Sequence, residues 1–139
     1  MRVVLDANTL ASGALASAGA IAQLMDRWLT ERRFTVVSSD MILGEVERAL
    51  RNRYFASRLV ESDRIAFIDL LRHEALMVVP RTEVGRVAAD PADDHVLAMS
   101  VDGKASYLVT GDHALLALAE FRGVRIVTAR ELLTLLDPS

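Results

Sequence analysis

The sequence contains no cysteine, which excludes a disulfide framework and any metal site built on thiolates. It also lacks an apolar run long enough to cross a membrane. No secretory signal is recognisable, because Asp6 interrupts the first apolar run after only a few residues. The 139 residues, 52% of them hydrophobic, suit one domain with a core on both faces of a sheet. We therefore expect a single domain over residues 1–139 and a soluble, cytoplasmic protein.

Positive charge is scarce as well. The net charge of −3 does not by itself indicate a nucleic-acid-binding protein. Lys104 is the only lysine among 16 basic residues, so all the others are arginines. Arginine can contact a phosphate through two parallel hydrogen bonds, but a GC-rich genome also enriches arginine. The overall charge therefore leaves the function open, and the positions of individual charged residues have to decide it.

Five short apolar runs predict β-strands, and helical patterns lie between them. The predicted strands are Arg2–Asp6, Phe34–Ser38, Leu76–Val79, Ser106–Thr110 and Val124–Val127. Alternation of strands with helices is typical of the α/β class with a mainly parallel sheet. A first strand that is apolar throughout indicates burial on both faces.

The helices are predicted from apolar spacing and capping residues. One helix carries the stripe from Ile21 to Leu29, a second begins after Ser39, and a third follows Ser62 with Ile65, Ile68 and Leu71 turned inward. A loop is predicted from Pro80 to Ala89, and a helix begins after it at Asp90 and Pro91. A short helix is predicted for His113–Phe121, after Asp112. The last helix begins with a capping box formed by Thr128 and Glu131.

Acidic residues recur at one end of this predicted sheet. Asp6 ends the first strand, Glu45 lies on the inward face of the helix after the second, Asp93 and Asp94 open the helix after the third, and Asp112 follows the fourth. Because the carboxyl ends of parallel strands meet at one edge, we expect these side chains to converge. Converging carboxylates repel unless a cation lies between them, and Mg²⁺ or Mn²⁺ prefers oxygen ligands. Such a site can activate water for attack on a phosphodiester.

Each acid also has a simpler interpretation. Helix capping alone is enough to explain Asp90, Asp93 and Asp112, and an ion pair with an arginine is enough to explain Glu45. Asp6 is the hardest to explain this way, since a buried parallel strand rarely ends in a carboxylate without a function. His73, His95 and His113 lack the spacing of metal ligands, and we interpret them as surface or capping residues.

Four segments resemble the PIN domain family, and most closely the prokaryotic VapC-type ribonucleases that are toxin components of toxin–antitoxin pairs. These segments are Val3–Thr9, Ile42–Leu50, Asp90–Ala98 and Tyr107–Leu116. Each motif alone is weak, but four in the same order are specific, and together they span nearly the whole chain.

The resemblance implies a three-layer α/β/α fold with a five-stranded, mainly parallel sheet of order 3-2-1-4-5. It implies that Asp6, Glu45, Asp93 and Asp112 are the catalytic acids, with Mg²⁺ or Mn²⁺ held by Asp6, Asp93 or the adjacent Asp94, and Asp112. The family pattern favours Asp93 over Asp94. Asn8 and Thr110 match polar positions that support the site through hydrogen bonds. A cognate antitoxin and a homodimer, with an interface around Arg48–Leu71, are implied as partners.

We therefore expect a metal-dependent endoribonuclease that acts on single-stranded RNA. The arginine-rich stretch Arg48–Arg58 would follow the RNA backbone, with Tyr54 or Phe55 stacking on bases, although a solvated helix end explains it almost as well. A haloacid-dehalogenase-type phosphatase needs a second Asp where this chain has Asn8, and a receiver domain needs an acidic pair that is missing. The remaining alternative is a PIN-fold module without activity that binds RNA or protein.

Overall fold

The computed structural model describes residues 1–85 and 91–138, with Ala92 described by its backbone alone. Its strands are β1 (Arg2–Leu5), β2 (Thr35–Ser38), β3 (Leu76–Met77), β4 (Tyr107–Val109), β5 (Glu120–Phe121) and β6 (Val124–Val127). Its helices are α1 (Ala7–Gly13), α2 (Gly19–Leu29), α3 (Asp40–Leu50), α4 (Arg53–Ala56), α5 (Glu61–Glu74), α6 (Pro91–Asp102), α7 (His113–Leu118) and α8 (Ala129–Leu136). The predicted cap at Asp90 lies outside the described residues.

The first strand lies in the middle of the sheet. It pairs in parallel with β2 on one side and with β4 on the other, and the order across the sheet is β3-β2-β1-β4-β6-β5. Val3, Val4 and Leu5 are completely buried, as expected for a strand that is covered on both faces. The α/β class, the layered PIN-like fold and the order of the five predicted strands are therefore confirmed.

The predicted number of strands was wrong by one, because the sheet has six. The additional strand β5 pairs antiparallel with β6 and occupies residues that the sequence assigned to the helix His113–Phe121. That helix ends at Leu118, and the chain then turns back through Ala119, Arg122 and Gly123, which all have positive φ angles. A strand of two residues is too short to produce an alternating pattern, so the sequence carried no signal for it.

Three further helices differ from the prediction. The short helices α1 and α4 were not predicted, because their seven and four residues are too few to show a periodic stripe. Helix α5 begins at Glu61, before Ser62, and Val60 occupies its N-cap position. Of the three residues predicted to face inward, Leu71 is buried and Ile68 is half-buried, but Ile65 is 50% exposed. Among the described residues, no helix combines the length and apolar character needed to cross a membrane.

Candidate metal-dependent nuclease site

The carboxylate of Asp6 sits where the central strand gives way to a helix. Asp6 is the N-cap of α1, and its Oδ1 accepts a hydrogen bond of 2.8 Å from the backbone N–H of Thr9. Its Oδ2 accepts a hydrogen bond of 2.5 Å from the hydroxyl of Thr110. The residue is only 9% exposed, so the fold holds a charged group in a nearly buried position and satisfies both of its oxygens. Both the capping interpretation and the site interpretation of Asp6 are compatible with this geometry.

Asp112 follows the neighbouring strand and has a similar local role. Its Oδ1 accepts a hydrogen bond of 3.0 Å from the backbone N–H of Leu115, which caps α7. The backbone N–H of Asp112 in turn donates to the hydroxyl of Thr110. Thr110 therefore connects the two acids, accepting from the backbone of one and donating to the side chain of the other. This is the kind of supporting contact that the family resemblance implies for Thr110.

Four of the predicted acids line a single cleft at the carboxyl edge of the sheet. The cleft has a volume of about 190 Å³, and its walls are formed by Asp6, Ala7, Asn8, Glu45, Asp93, Val96 and Asp112. Glu45 comes from α3 and is half-buried, while Asp93 comes from the first turn of α6. Two strand ends and two helices thus deliver one acid each to the same concave surface.

Asp94, which the sequence offered as an alternative ligand, does not line this cleft. It lines a neighbouring pocket of about 410 Å³ together with His95, Thr82 and Pro80. Consecutive residues of a helix point about 100° apart, so only one of Asp93 and Asp94 can face the cleft. The structure places Asp93 there.

The donor set of the cleft fits a hard divalent cation, because every polar side chain in it offers oxygen ligands. As placed, however, the described residues contain no group of three acidic or histidine side chains close enough to enclose an ion. Asp6 and Asp112 each direct one oxygen toward a helix N–H. Binding a cation here would therefore require the acids of the cleft to move closer together than they lie in this structure.

Sequence reasoning missed a contact beside the site. Ser39, the buried N-cap of α3, forms a hydrogen bond of 2.8 Å with Nε2 of His95. Burial lowers the pKa of His95, since the charged form loses hydration. The bond joins the helix that carries Glu45 to the helix that carries Asp93. Our interpretation of His95 as a surface or capping residue was wrong, and no spacing rule links residues 56 positions apart in sequence.

The arginine-rich stretch Arg48–Arg58 lies on the surface around α4. Tyr54 is 58% exposed, whereas Phe55 packs against the core. The guanidinium of Arg58 lies 4.0 Å from the centre of the Tyr54 ring and donates to the Tyr54 carbonyl. Arg51 pairs with Glu47 at 2.8 Å. Of the two aromatics, only Tyr54 is accessible to a base, and one face of its ring is already covered by Arg58.

The PIN domain family profile matches residues 2–114, and the chain belongs to this family. The match includes β1, both site helices and Asp112, so every predicted site residue lies within it. No curated protein matches the chain in sequence.

Solved structures with the same fold are similar to the chain despite low identity. A chain of VapBC2 from Rickettsia felis, bound to a DNA fragment from its promoter, is 9% identical with a TM-score of 0.62 over 91% of this chain and 97% of that one. PAE2754 from Pyrobaculum aerophilum is 20% identical with a TM-score of 0.63, over 98% of this chain and 89% of that one. VapC20 from Mycobacterium tuberculosis, a toxin that cleaves the sarcin-ricin loop, is 15% identical with a TM-score of 0.59, over 88% of this chain and 98% of that one.

Proposed function

We propose that this protein is a metal-dependent endoribonuclease and the toxin component of a toxin–antitoxin pair. The observation that supports the proposal most is the convergence of Asp6, Glu45, Asp93 and Asp112 on one cleft at the carboxyl edge of the sheet. Four carboxylates have no reason to share a concave surface for packing, since their mutual repulsion lowers stability. Membership of the PIN domain family supports nuclease chemistry in that cleft.

Mg²⁺ or Mn²⁺ would be held by Asp6, Asp93 and Asp112, with Asn8 at the rim. Such an ion, when bound, polarises a phosphoryl oxygen and lowers the pKa of a bound water. The position of Asp94 in the neighbouring pocket favours Asp93 as the direct ligand. Oxygen-only ligation does not discriminate strongly between the two metals, so either would serve.

The protein's own groups would do the remaining work. Thr110 fixes the orientation of Asp6 through its hydroxyl, so that this carboxylate keeps its place when substrate enters. Oδ2 of Asp112 receives no hydrogen bond from the described residues and is available to accept one from a water molecule. Glu45 lines the cleft from α3, where its carboxylate would face the reacting phosphodiester and accept a proton from the attacking water.

The role as a toxin component rests on the structural neighbours. The VapBC2 structure and the toxin VapC20, together with the resemblance to VapC-type proteins, support a cognate antitoxin as the partner. VapC20 supports RNA as the substrate. An antitoxin could be identified experimentally because it would cover the acidic cleft and inhibit RNA cleavage.

A cleavage assay tests this proposal. Purified protein is incubated with single-stranded RNA in Mg²⁺, in Mn²⁺ and in excess chelator. We expect endonucleolytic fragments with either metal and none with chelator. Asp26→Asn, a substitution of an exposed acid in α2, is the matched control and should cleave like the wild type. If the protein binds RNA but leaves it intact under every metal condition, it is instead the PIN-fold binding module without activity.

A further inference from the structure

A second pocket adjoins the acidic cleft along the same edge of the sheet. It has a volume of about 330 Å³ and lies between α1, the start of α2 and the start of α8. The polar residues of its walls are Asn8, Thr9, Ser12, Thr110, Thr128 and Arg130. We call it the arginine pocket. In the described part of the chain, none of the residues that line it is acidic, which is the reverse of the cleft beside it.

The two cavities are separated by a single layer of residues. Asn8 lines both of them. Thr110 lines the arginine pocket, and its hydroxyl donates to Asp6, which lines the cleft. Gly111 lies in the pocket wall and is followed directly by Asp112 in the cleft wall. A polymer bound in the cleft can therefore extend into the adjacent arginine pocket.

Arg130 supplies the charge of this pocket. It is exposed, and its guanidinium forms no ion pair or hydrogen bond within residues 1–85 and 91–138. The adjacent Glu131 forms no ion pair with Arg130 among the described residues, and its carboxylate accepts from the backbone N–H of Thr128 in the capping box. Glu131 also lines a different cavity, together with Arg125. The charge of Arg130 thus remains available to an anionic ligand.

The side chain of Thr9 belongs to the same wall. Thr9 is 6% exposed as a residue and lines the pocket, and no described residue pairs with its hydroxyl. Thr9 was not predicted as a site residue. A threonine hydroxyl that reaches a pocket can donate a hydrogen bond to an anionic ligand there.

The first turn of α2 reinforces this preference for a negative ligand. Ala18 occupies its N-cap position and provides no side-chain hydrogen bond, and Ala20 and Ile21 line the pocket. The N–H groups at the start of a helix carry a partial positive charge and bind anions when no capping side chain satisfies them. Guanidinium, hydroxyl and helix terminus all favour the same ligand chemistry.

We propose that the arginine pocket binds a phosphate of the RNA chain next to the one that is cleaved, with Arg130 and the hydroxyl of Thr9 as its ligands. This inference rests on the proposed function, because it takes the acidic cleft as the place of cleavage. The pocket would fix the register of the strand, and so the position of the scissile phosphate against Asp6 and Asp93. Arg130 and Thr9 are thus positioning residues, and they do not touch the reacting atoms.

The test is a binding experiment with a short single-stranded RNA in excess chelator, where cleavage is off, at several salt concentrations. Arg130→Ala should weaken binding about fivefold to tenfold and should reduce the slope of log K against log salt by about 0.7, the value for one phosphate of a single strand. Thr9→Val keeps the shape of the side chain and removes the hydroxyl. It should weaken binding about tenfold, as expected for one hydrogen bond to a charged acceptor, and leave the slope unchanged.

Arg125→Ala is the matched control, since it removes an exposed arginine of the adjacent strand outside the pocket. Its affinity and salt slope should equal those of the wild type. If Arg130→Ala behaves like Arg125→Ala, or if the wild type does not bind RNA, the phosphate pocket is refuted. If the protein cleaves RNA normally but the two arginine variants bind RNA equally well, the phosphate pocket is refuted and the proposed nuclease function stands. If Arg130 contributes to RNA binding but the protein cleaves RNA with neither metal, the nuclease function is refuted and the phosphate pocket stands.

Discussion

The hydroxyl of Thr110 donates a hydrogen bond of 2.5 Å to Oδ2 of Asp6, and both residues are more than nine-tenths buried. They follow adjacent parallel strands, β1 and β4, although they are 104 positions apart in sequence. The bond fixes an acid at the centre of the carboxyl edge and links it to the loop that carries Asp112. The first predictions follow from this contact.

Thr110→Val should lower both stability and cleavage. Without the hydroxyl, a buried carboxylate oxygen loses its partner, and the free energy of unfolding should fall by about 1–3 kcal/mol. Chemical denaturation measures this loss, and RNA cleavage at several Mg²⁺ concentrations shows whether Asp6 still binds metal normally. Thr110→Ser keeps the hydroxyl and should restore most of both properties. Equal behaviour of the Val and Ser variants would mean that the hydrogen bond is unimportant.

The two roles of Asp6 can be separated by two substitutions. Asp6→Asn keeps an oxygen that can cap α1, whereas Asp6→Ala removes the cap and should cost about 1 kcal/mol more. Neither variant carries the negative charge, so both should be inactive. Thermal unfolding in chelator compares their stabilities. Variants of equal stability would show that the bond to the Thr9 N–H contributes little.

Metal should stabilise the folded protein by mass action. Mg²⁺ or Mn²⁺ at about 100 times its dissociation constant should add about 2.7 kcal/mol to the free energy of unfolding. The increase should be much smaller in Asp6→Asn and unchanged in Asp26→Asn, which alters an acid outside the cleft. Thermal melts with metal and with chelator make the comparison. A wild-type midpoint that is indifferent to both metals would contradict the assignment of the cleft.

Asp102 should contribute to stability in acid. The hydroxyl of Thr82 and the backbone N–H groups of Thr82 and Arg81 donate to its carboxylate, and they lower its pKa. A pKa that is lower in the folded than in the unfolded state stabilises the fold above the unfolded value near 4, and this contribution disappears as pH falls through the folded pKa. Asp102→Asn should therefore be less stable than wild type at pH 6, with the gap closing toward pH 2. A gap that stays constant across melts at these pH values would contradict this linkage.

The homodimer remains a prediction, with Ile65 as its most informative residue. Ile65 is 50% exposed in α5, so Ile65→Glu should not disturb the core of a single subunit. If the helices around Arg48–Leu71 form the interface, the wild type should be a dimer at micromolar concentration and the variant a monomer. Light scattering measures both masses. A monomeric wild type would contradict the dimer itself, and a dimeric variant would contradict this interface.

The sequence predicted the parts of the fold that carry strong local signals. The apolar run of β1 and the carboxylate at its end placed Asp6 correctly, and the family resemblance supplied the strand order that brings Glu45, Asp93 and Asp112 to the same edge. These acids were recognisable because a charge beside a buried strand or on the inward face of a helix is costly without a function.

What the sequence could not predict depends on three-dimensional neighbours or on very short elements. Strand β5 has two residues and forms by pairing with β6. The contact between Ser39 and His95 and the position of Thr9 in a pocket wall exist only once the helices are packed. The inward direction predicted for Ile65 failed because α5 packs against helix α3 with only part of its surface, and a weak apolar stripe does not reveal how deep each position lies.

The most direct test of the central claim measures cleavage and binding of one single-stranded RNA by wild type, Asp6→Asn and Asp26→Asn. With Mg²⁺ or Mn²⁺, the wild type and Asp26→Asn should cleave at equal rates, and excess chelator should stop both. Asp6→Asn should not cleave under any condition, and its RNA affinity should stay within a fewfold of wild type. Cleavage that persists in excess chelator, or in Asp6→Asn with metal present, would contradict a metal-dependent site at this cleft.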